Sequence, residues 1–264
     1  MMKLPFSVLI APVVVLLSSA HVLAAIQTKN IQYKQGNTVL EGYLAYDDAI
    51  KVKRPGVLVV HEWNGLQSYV KKRTEQLAGM GYVAFAADIY GKGIRPKNQQ
   101  ESGAQATFYR QNRKLLRDRV NAGLQVLQSN PLTDVKRIAA IGYCFGGGTV
   151  LELARSGANI AGVVSFHGNL DTPNPDDAKN IKAKVLVLHG ADDPFVPEAQ
   201  LTAFEEEMRK ANVDWQLISY GGVVHAFTNP DYKNDPKGAA YNAIADKRSW
   251  QAMKQFFAEL FAKK

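Results

Sequence analysis

Five short runs of near-continuous apolar residues, each followed by a stretch of helical periodicity, restrict this chain more than any other feature. The runs are 56–60, 82–89, 137–142, 161–166 and 184–188, and residues 215–220 form a sixth, less apolar one. A strand that is apolar on both faces must be covered on both faces. The intervening helical stretches, 68–78, 105–128, 147–155 and 198–210, with 239–261 closing the chain, supply that cover. Strands alternating with helices predict an α/β fold: a mostly parallel central sheet with helices on both faces. In such sheets ligands bind beyond the carboxyl ends of the strands. Chemistry is therefore expected in the residues just after each run.

Before the first run the texture differs. Residues 31–33, a turn at 35–37 and residues 39–45 read as an N-terminal antiparallel hairpin. No internal repeat and no low-complexity linker divides the chain, so residues 26–264 are read as one domain. Residues 1–25 are read apart from it. Met1-Met2-Lys3 gives a positive start, 4–17 is apolar and uncharged, and Ser18, Ser19, Ala20, Ala24 and Ala25 are small. This is the pattern of a cleaved secretory signal. It implies a periplasmic or secreted protein. The apolar run is short for a span of about 20 residues, so no stable membrane anchor is expected.

The 264 residues contain one cysteine, Cys144. No intramolecular disulfide can form, and a lone thiol in an oxidising compartment is either buried or used. The net charge of +8 is spread along the chain. Its densest group, Arg110, Arg113, Lys114, Arg117 and Arg119, alternates with Leu115, Leu116 and Val120, which reads as a solvated helix face. No nucleic-acid motif accompanies it.

The run at 137–142 leads directly into Gly142-Tyr143-Cys144-Phe145-Gly146-Gly147-Gly148, after which a helix begins. Strand, tight turn, helix with a G-x-C-x-G core matches a nucleophile elbow with cysteine in place of serine. The glycines let neighbouring backbones approach. The new helix directs its backbone N–H groups and positive end at the sulfur, where they stabilise negative charge. Such an elbow requires an acid and then a histidine, each after a later strand. His189-Gly190-Ala191-Asp192-Asp193-Pro194 follows one, with Asp192 and Asp193 both eligible. Gly221-Gly222-Val223-Val224-His225 follows another. His225 would serve as base and the aspartate would orient it. His61, His167 and His189 also follow strands and can line the same cleft. No histidine pair has the i, i+4 spacing of a zinc helix, so neither a metal nor another cofactor is expected.

After 56–60 comes His61-Glu62-Trp63-Asn64-Gly65. The loop after this strand supplies an oxyanion-hole donor in hydrolases of this architecture. Trp63 N–H is the candidate, paired with Phe145 N–H. Glu62 beside an oxyanion hole would disfavour charge there, which points to a task with the thiol.

Taken together, these pieces resemble the dienelactone hydrolase family. Those that carry the resemblance are His61-Glu62-Trp63-Asn64-Gly65, Ala87-Asp88-Ile89-Tyr90, Gly142-Tyr143-Cys144-Phe145-Gly146-Gly147, residues 190–197 and 222–227. The resemblance implies an α/β-hydrolase fold and a Cys144–His225–Asp193 triad, choosing Asp193 over Asp192. It implies that Glu62 contacts the resting thiol and takes its proton when substrate arrives. It also implies two arginines for a substrate carboxylate, and here the sequence departs: Lys92 and Asn229 stand at those places. Tyr90, Lys92, Arg95, His167 and Phe227 are the candidate substrate-binding residues. The expected reaction is hydrolysis of a small ester or lactone through a thioester, by a monomer or small homo-oligomer. A thioesterase or other acyl hydrolase on the same scaffold, and a non-catalytic ligand-binding protein, are the alternatives. Residues 91–109 read equally as a lid or as a surface loop.

Overall fold

The computed structural model describes Met2 and residues 26–233 and 238–262; apart from Met2, the segment expected to be a secretory signal lies outside them. Eight strands form one sheet in the order β1-β2-β4-β3-β5-β6-β7-β8. Strands β1 (Ile26–Gln35) and β2 (Thr38–Asp47) make the expected hairpin. Its turn places Gly36 at a φ of 54°, where glycine carries no steric penalty. Strand β2 runs antiparallel to β4 (Val83–Ala87). From there β3 (Arg54–Val60), β5 (Thr133–Tyr143), β6 (Gly162–Phe166), β7 (Lys184–Gly190) and β8 (Trp215–Tyr220) are all parallel.

The apolar strands feed two cores. In β3, Leu58 and Val60 face one cluster while Val57 and Val59 face the other, and all four are fully buried. In β7 the same alternation sends Val185 and Val187 one way and Leu186 and Leu188 the other. This is the period-2 pleat applied to residues that are apolar at every position. Each such side chain contributes about 1.5–3 kcal/mol by leaving water. Helices α1 (Ser68–Gly79) and α6 (Ala243–Leu260) cover one face with Leu77, Met253 and Phe257. The other is covered by α3 (Arg113–Ser129), α4 (Phe145–Arg155) and α5 (Glu198–Lys210) with Leu116, Val120, Leu153 and Phe204. Among the described residues no helix is long and apolar enough to cross a membrane.

Two expectations are corrected. The single helix expected over 105–128 is two: α2 (Gln99–Gln111) and α3, separated at Asn112. Asn112 leaves helical geometry at φ −112°, ψ 63°, and its side-chain amide donates to the Phe108 carbonyl. This local bond competes with helix continuation, as asparagine commonly does. The start of α2 is set by Asn98, whose side chain accepts from Glu101 N–H at 2.9 Å, an N-cap. The second half of the 91–109 stretch is thus helix. The basic group is a solvated face only at Arg110 and Lys114. Arg119 is buried, Arg113 pairs with Asp171 at 2.7 Å, and Arg117 with Glu152 at 2.8 Å. Glu152 in turn binds Arg155, which is held by the buried Glu207. The carboxylates that draw these arginines inward come from distant sequence.

Candidate active site

Cys144 lies where β5 passes into α4. Its backbone sits at φ 53°, ψ −117°, a region a non-glycine residue occupies only when its surroundings hold it there. Two glycines make the turn fit. A Cβ on Gly142 would stand 2.0 Å from the Gly146 carbonyl oxygen, and one on Gly146 would stand 2.3 Å from that of Val60. The Cys144 N–H is shared between the Phe166 carbonyl at 3.0 Å and the His167 ring at 3.2 Å. Phe145 opens α4, so its N–H is among those a helix cannot satisfy internally.

Asp193, in the turn after β7, is buried; its Oδ1 accepts from Phe195 N–H at 2.9 Å and its Oδ2 from His225 Nδ1 at 2.7 Å. Asp192 is exposed. Cys144 and His225 line the same cavity, and the sulfur acts electrostatically on the ring. Burial pulls the His225 pKa down, but the Cys144 sulfur and the Asp193 carboxylate outweigh it and hold the ring up to about 10. Both partners thus favour an imidazolium.

Sulfur and imidazole open on a cavity of about 650 Å³ whose walls include Trp63, Phe145, Phe195 and Val196. Trp63 and Phe145, whose N–H groups are the expected oxyanion donors, both line it. The loop that carries Trp63 is tied down from several sides. The His61 Nε2 accepts from Ile89 N–H, so its Nδ1 carries the proton and donates to the Glu62 carbonyl at 2.6 Å. Burial lowers His61 to about 4, which keeps this neutral tautomer. The Tyr90 hydroxyl donates to the Trp63 carbonyl at 2.8 Å, and Trp63 Nε1 to the Tyr232 hydroxyl at 2.9 Å.

Glu62 has a different partner from the one the resemblance implies. Its Oε2 accepts from Asn229 Nδ2 at 2.6 Å, while Oε1 is buried without a hydrogen bond. Burial pushes Glu62 up to about 7, against the pull of Asn229 and His225.

None of the five candidate substrate-binding residues lines the cavity. Tyr90, His167 and Phe227 are fully buried beneath it. Lys92 is exposed outside it, and Arg95 is spent on the Gly91 and Ile94 carbonyls and on Asp88. Instead, one face of α2 forms a wall: Gln99, Gly103, Ala106, Thr107 and Arg110. Arg110 is a cation at this surface; its contact with Asp171 is long, 3.6 Å, because Arg113 and Asn169 already hold that carboxylate. The helical spacing of these positions was visible in the sequence, but nothing local indicated which face turns toward the cysteine.

A mostly parallel sheet whose β5–α4 elbow presents a thiol, with a histidine and an acid after later strands, defines an α/β-hydrolase. Comparison narrows this. The model of the dienelactone hydrolase family matches residues 40–261, and the chain belongs to that family. Among solved structures, a dienelactone hydrolase-like promiscuous phosphotriesterase from metagenomic libraries is 39% identical, with a TM-score of 0.86 over 90% of this chain and 100% of the other. An uncharacterised protein of Caenorhabditis elegans is 39% identical over 56% of this chain and 95% of its own. A protein of Aquifex aeolicus named as a candidate carboxymethylenebutenolidase is 29% identical over 86% of this chain and 96% of its own.

Proposed function

We propose that this chain hydrolyses small esters or lactones with Cys144 as nucleophile. The observation that supports the reading is the His225–Asp193 hydrogen bond, with His225 and Cys144 on the wall of one largely apolar cavity. The Cys144 sulfur attacks the carbonyl carbon while His225 holds the thiol proton. The Phe145 and Trp63 N–H groups receive the oxyanion. His225 then passes the proton to the leaving alkoxide, and a thioester forms. Water adds to the thioester as His225 takes its proton, and the sulfur departs. Asp193 keeps the ring in the tautomer this requires.

The carboxymethylenebutenolidase naming of the Aquifex protein supports a lactone among the substrates. The arginine pair expected for a dienelactone carboxylate is replaced by Lys92 and by Asn229, which binds Glu62. Arg110 on α2 offers a different place for an anionic group. The phosphotriesterase relative makes aryl phosphotriesters worth including in a substrate screen. Residues 1–25 support export to the periplasm or medium, with 26–264 as the mature domain.

The test is hydrolysis of 4-nitrophenyl butyrate by wild type and Cys144→Ala. The variant should lose at least about 10³-fold in kcat/KM while keeping its circular dichroism and melting temperature. Equal rates in the two proteins would exclude the mechanism.

A further inference from the structure

Behind the sulfur lies a second histidine that the acyl-transfer steps leave unused. His167 follows β6 and is fully buried. Its backbone is left-handed, φ 39°, so two non-glycine residues at adjacent strand ends, Cys144 and His167, hold uncommon conformations. Such outliers persist where their surroundings over-determine them. The His167 ring is bonded at both nitrogens. A backbone N–H can only donate, so His167 Nδ1 accepts from Cys144 at 3.2 Å. The proton is therefore on Nε2, which donates to Thr228 Oγ1 at 2.7 Å. Burial, reinforced by His225, keeps the ring far below the ordinary histidine range and hence neutral.

Thr228 is firmly placed. Its Oγ1 meets the Tyr69 hydroxyl at 2.6 Å, and its carbonyl accepts from Arg73 at 2.8 Å. Arg73 also donates to Tyr69 and pairs with Asp246 on α6. Thr228 belongs to the same loop as His225, shortly after it. The His167 ring also meets the His225 ring edge to face, with centroids 5.3 Å apart. One imidazole thus touches the backbone of the cysteine, the loop of the partner histidine and the face of its ring.

We infer that His167 is a positioning residue: by accepting from Cys144 N–H and donating to Thr228, it fixes the separation of the Cys144 sulfur and the His225 imidazole. This rests on the reading of Cys144 and His225 as nucleophile and base. Protonation of His167 is incompatible with the role. It would turn an N–H against the Cys144 N–H and set a second cation against the His225 imidazolium. Burial and the neighbouring charges of His225, Arg73 and His189 oppose that protonation and outweigh the one backbone hydrogen bond that favours it.

Two substitutions separate the two bonds. The amide oxygen of His167→Asn takes the place of Nδ1, preserves the acceptor for Cys144 N–H, and suits a left-handed backbone. The amide nitrogen of His167→Gln takes the place of Nε2, preserves the donor to Thr228 and loses the acceptor. Readouts are kcat and KM on 4-nitrophenyl butyrate, the pH midpoint for alkylation of Cys144 by iodoacetamide, and melting temperature. His167→Gln should lower kcat by about tenfold or more with little change in KM, and raise the alkylation midpoint as sulfur and imidazole separate. His167→Asn should retain more of the wild-type kcat than His167→Gln, and adding Thr228→Val to it should change kcat little further, because that variant has already lost the bond to Thr228. Melting temperatures that fall while kcat per folded molecule and the alkylation midpoint stay at wild-type values would reduce His167 to packing and overturn the inference. The alkylation readout needs no turnover. A midpoint that is equally indifferent to His225→Ala would instead sink the nucleophile–base reading itself.

Discussion

Replacing Glu62 by glutamine should remove the loss of stability that this one carboxyl imposes on the wild type above pH 5. Glu62 is fully buried, and burial raises it from an ordinary 4.5 to about 7. Between those values the native state binds the proton more tightly than the unfolded chain does. The contribution of Glu62 to stability therefore falls as pH rises through that window, and levels off above pH 7. The whole shift corresponds to roughly 3 kcal/mol, most of which falls between pH 5 and pH 8. Glutamine keeps the shape and an oxygen for Asn229 Nδ2, but sets an amide where the unpartnered Oε1 lies. That second effect costs stability at every pH, so the informative quantity is the change in the difference between the two proteins. Urea unfolding of wild type and Glu62→Gln at pH 5 and pH 8 measures it. The variant should gain roughly 2–3 kcal/mol on the wild type between the two. A difference that does not move with pH, or moves the other way, would refute the assignment of a raised carboxyl and with it the electrostatic description of this corner of the site.

Other expectations follow from single contacts. Asp193→Asn keeps the shape but misdirects the His225 tautomer; kcat on a nitrophenyl ester should fall about 10³–10⁴-fold, with the fold intact by circular dichroism. Arg110→Gln should lower the ratio of kcat/KM for 4-nitrophenyl adipate over 4-nitrophenyl butyrate by about tenfold at low salt, and by less at high salt; an unchanged ratio would remove Arg110 from substrate recognition. Gly142→Ala drives a Cβ to within 2.0 Å of the Gly146 carbonyl oxygen, where only backbone can yield, so a loss of about 3 kcal/mol or more in unfolding free energy is expected.

How much of this was legible in the sequence depended on how local the cause was. The strands of the sheet could be read because an apolar run covered on both faces needs no knowledge of its neighbours. The elbow could be read because its glycines, its cysteine and the following helix are contiguous. Asp193 and Asp192 were not separable by residue type or spacing; the hydrogen bonds of Asp193 to Phe195 N–H and His225, against the exposure of Asp192, distinguish them in space. Asn112 hid in a long helical pattern because the break is a single side-chain bond to Phe108. Arg113, Arg117 and Arg119 read as solvated because Glu152 and Asp171, which draw two of them inward, lie far along the chain. Lys92 and Arg95 attracted attention by position relative to a motif, whereas the cavity is walled by α2, whose orientation is a tertiary fact. The partner of Glu62 was missed for the same reason: Asn229 stood where an arginine was expected, and an amide reaches the carboxylate as well.

The interruption at Asn112 also divides labour. The sulfur, imidazole and carboxylate hang from the ends of sheet strands, whereas α2 supplies a separate wall, joined to α3 through one non-helical residue. A library confined to Gln99, Gly103, Ala106, Thr107 and Arg110 could therefore retune which compounds enter while leaving the bond-breaking apparatus untouched, so that new selectivity and undamaged turnover can be sought in the same variant.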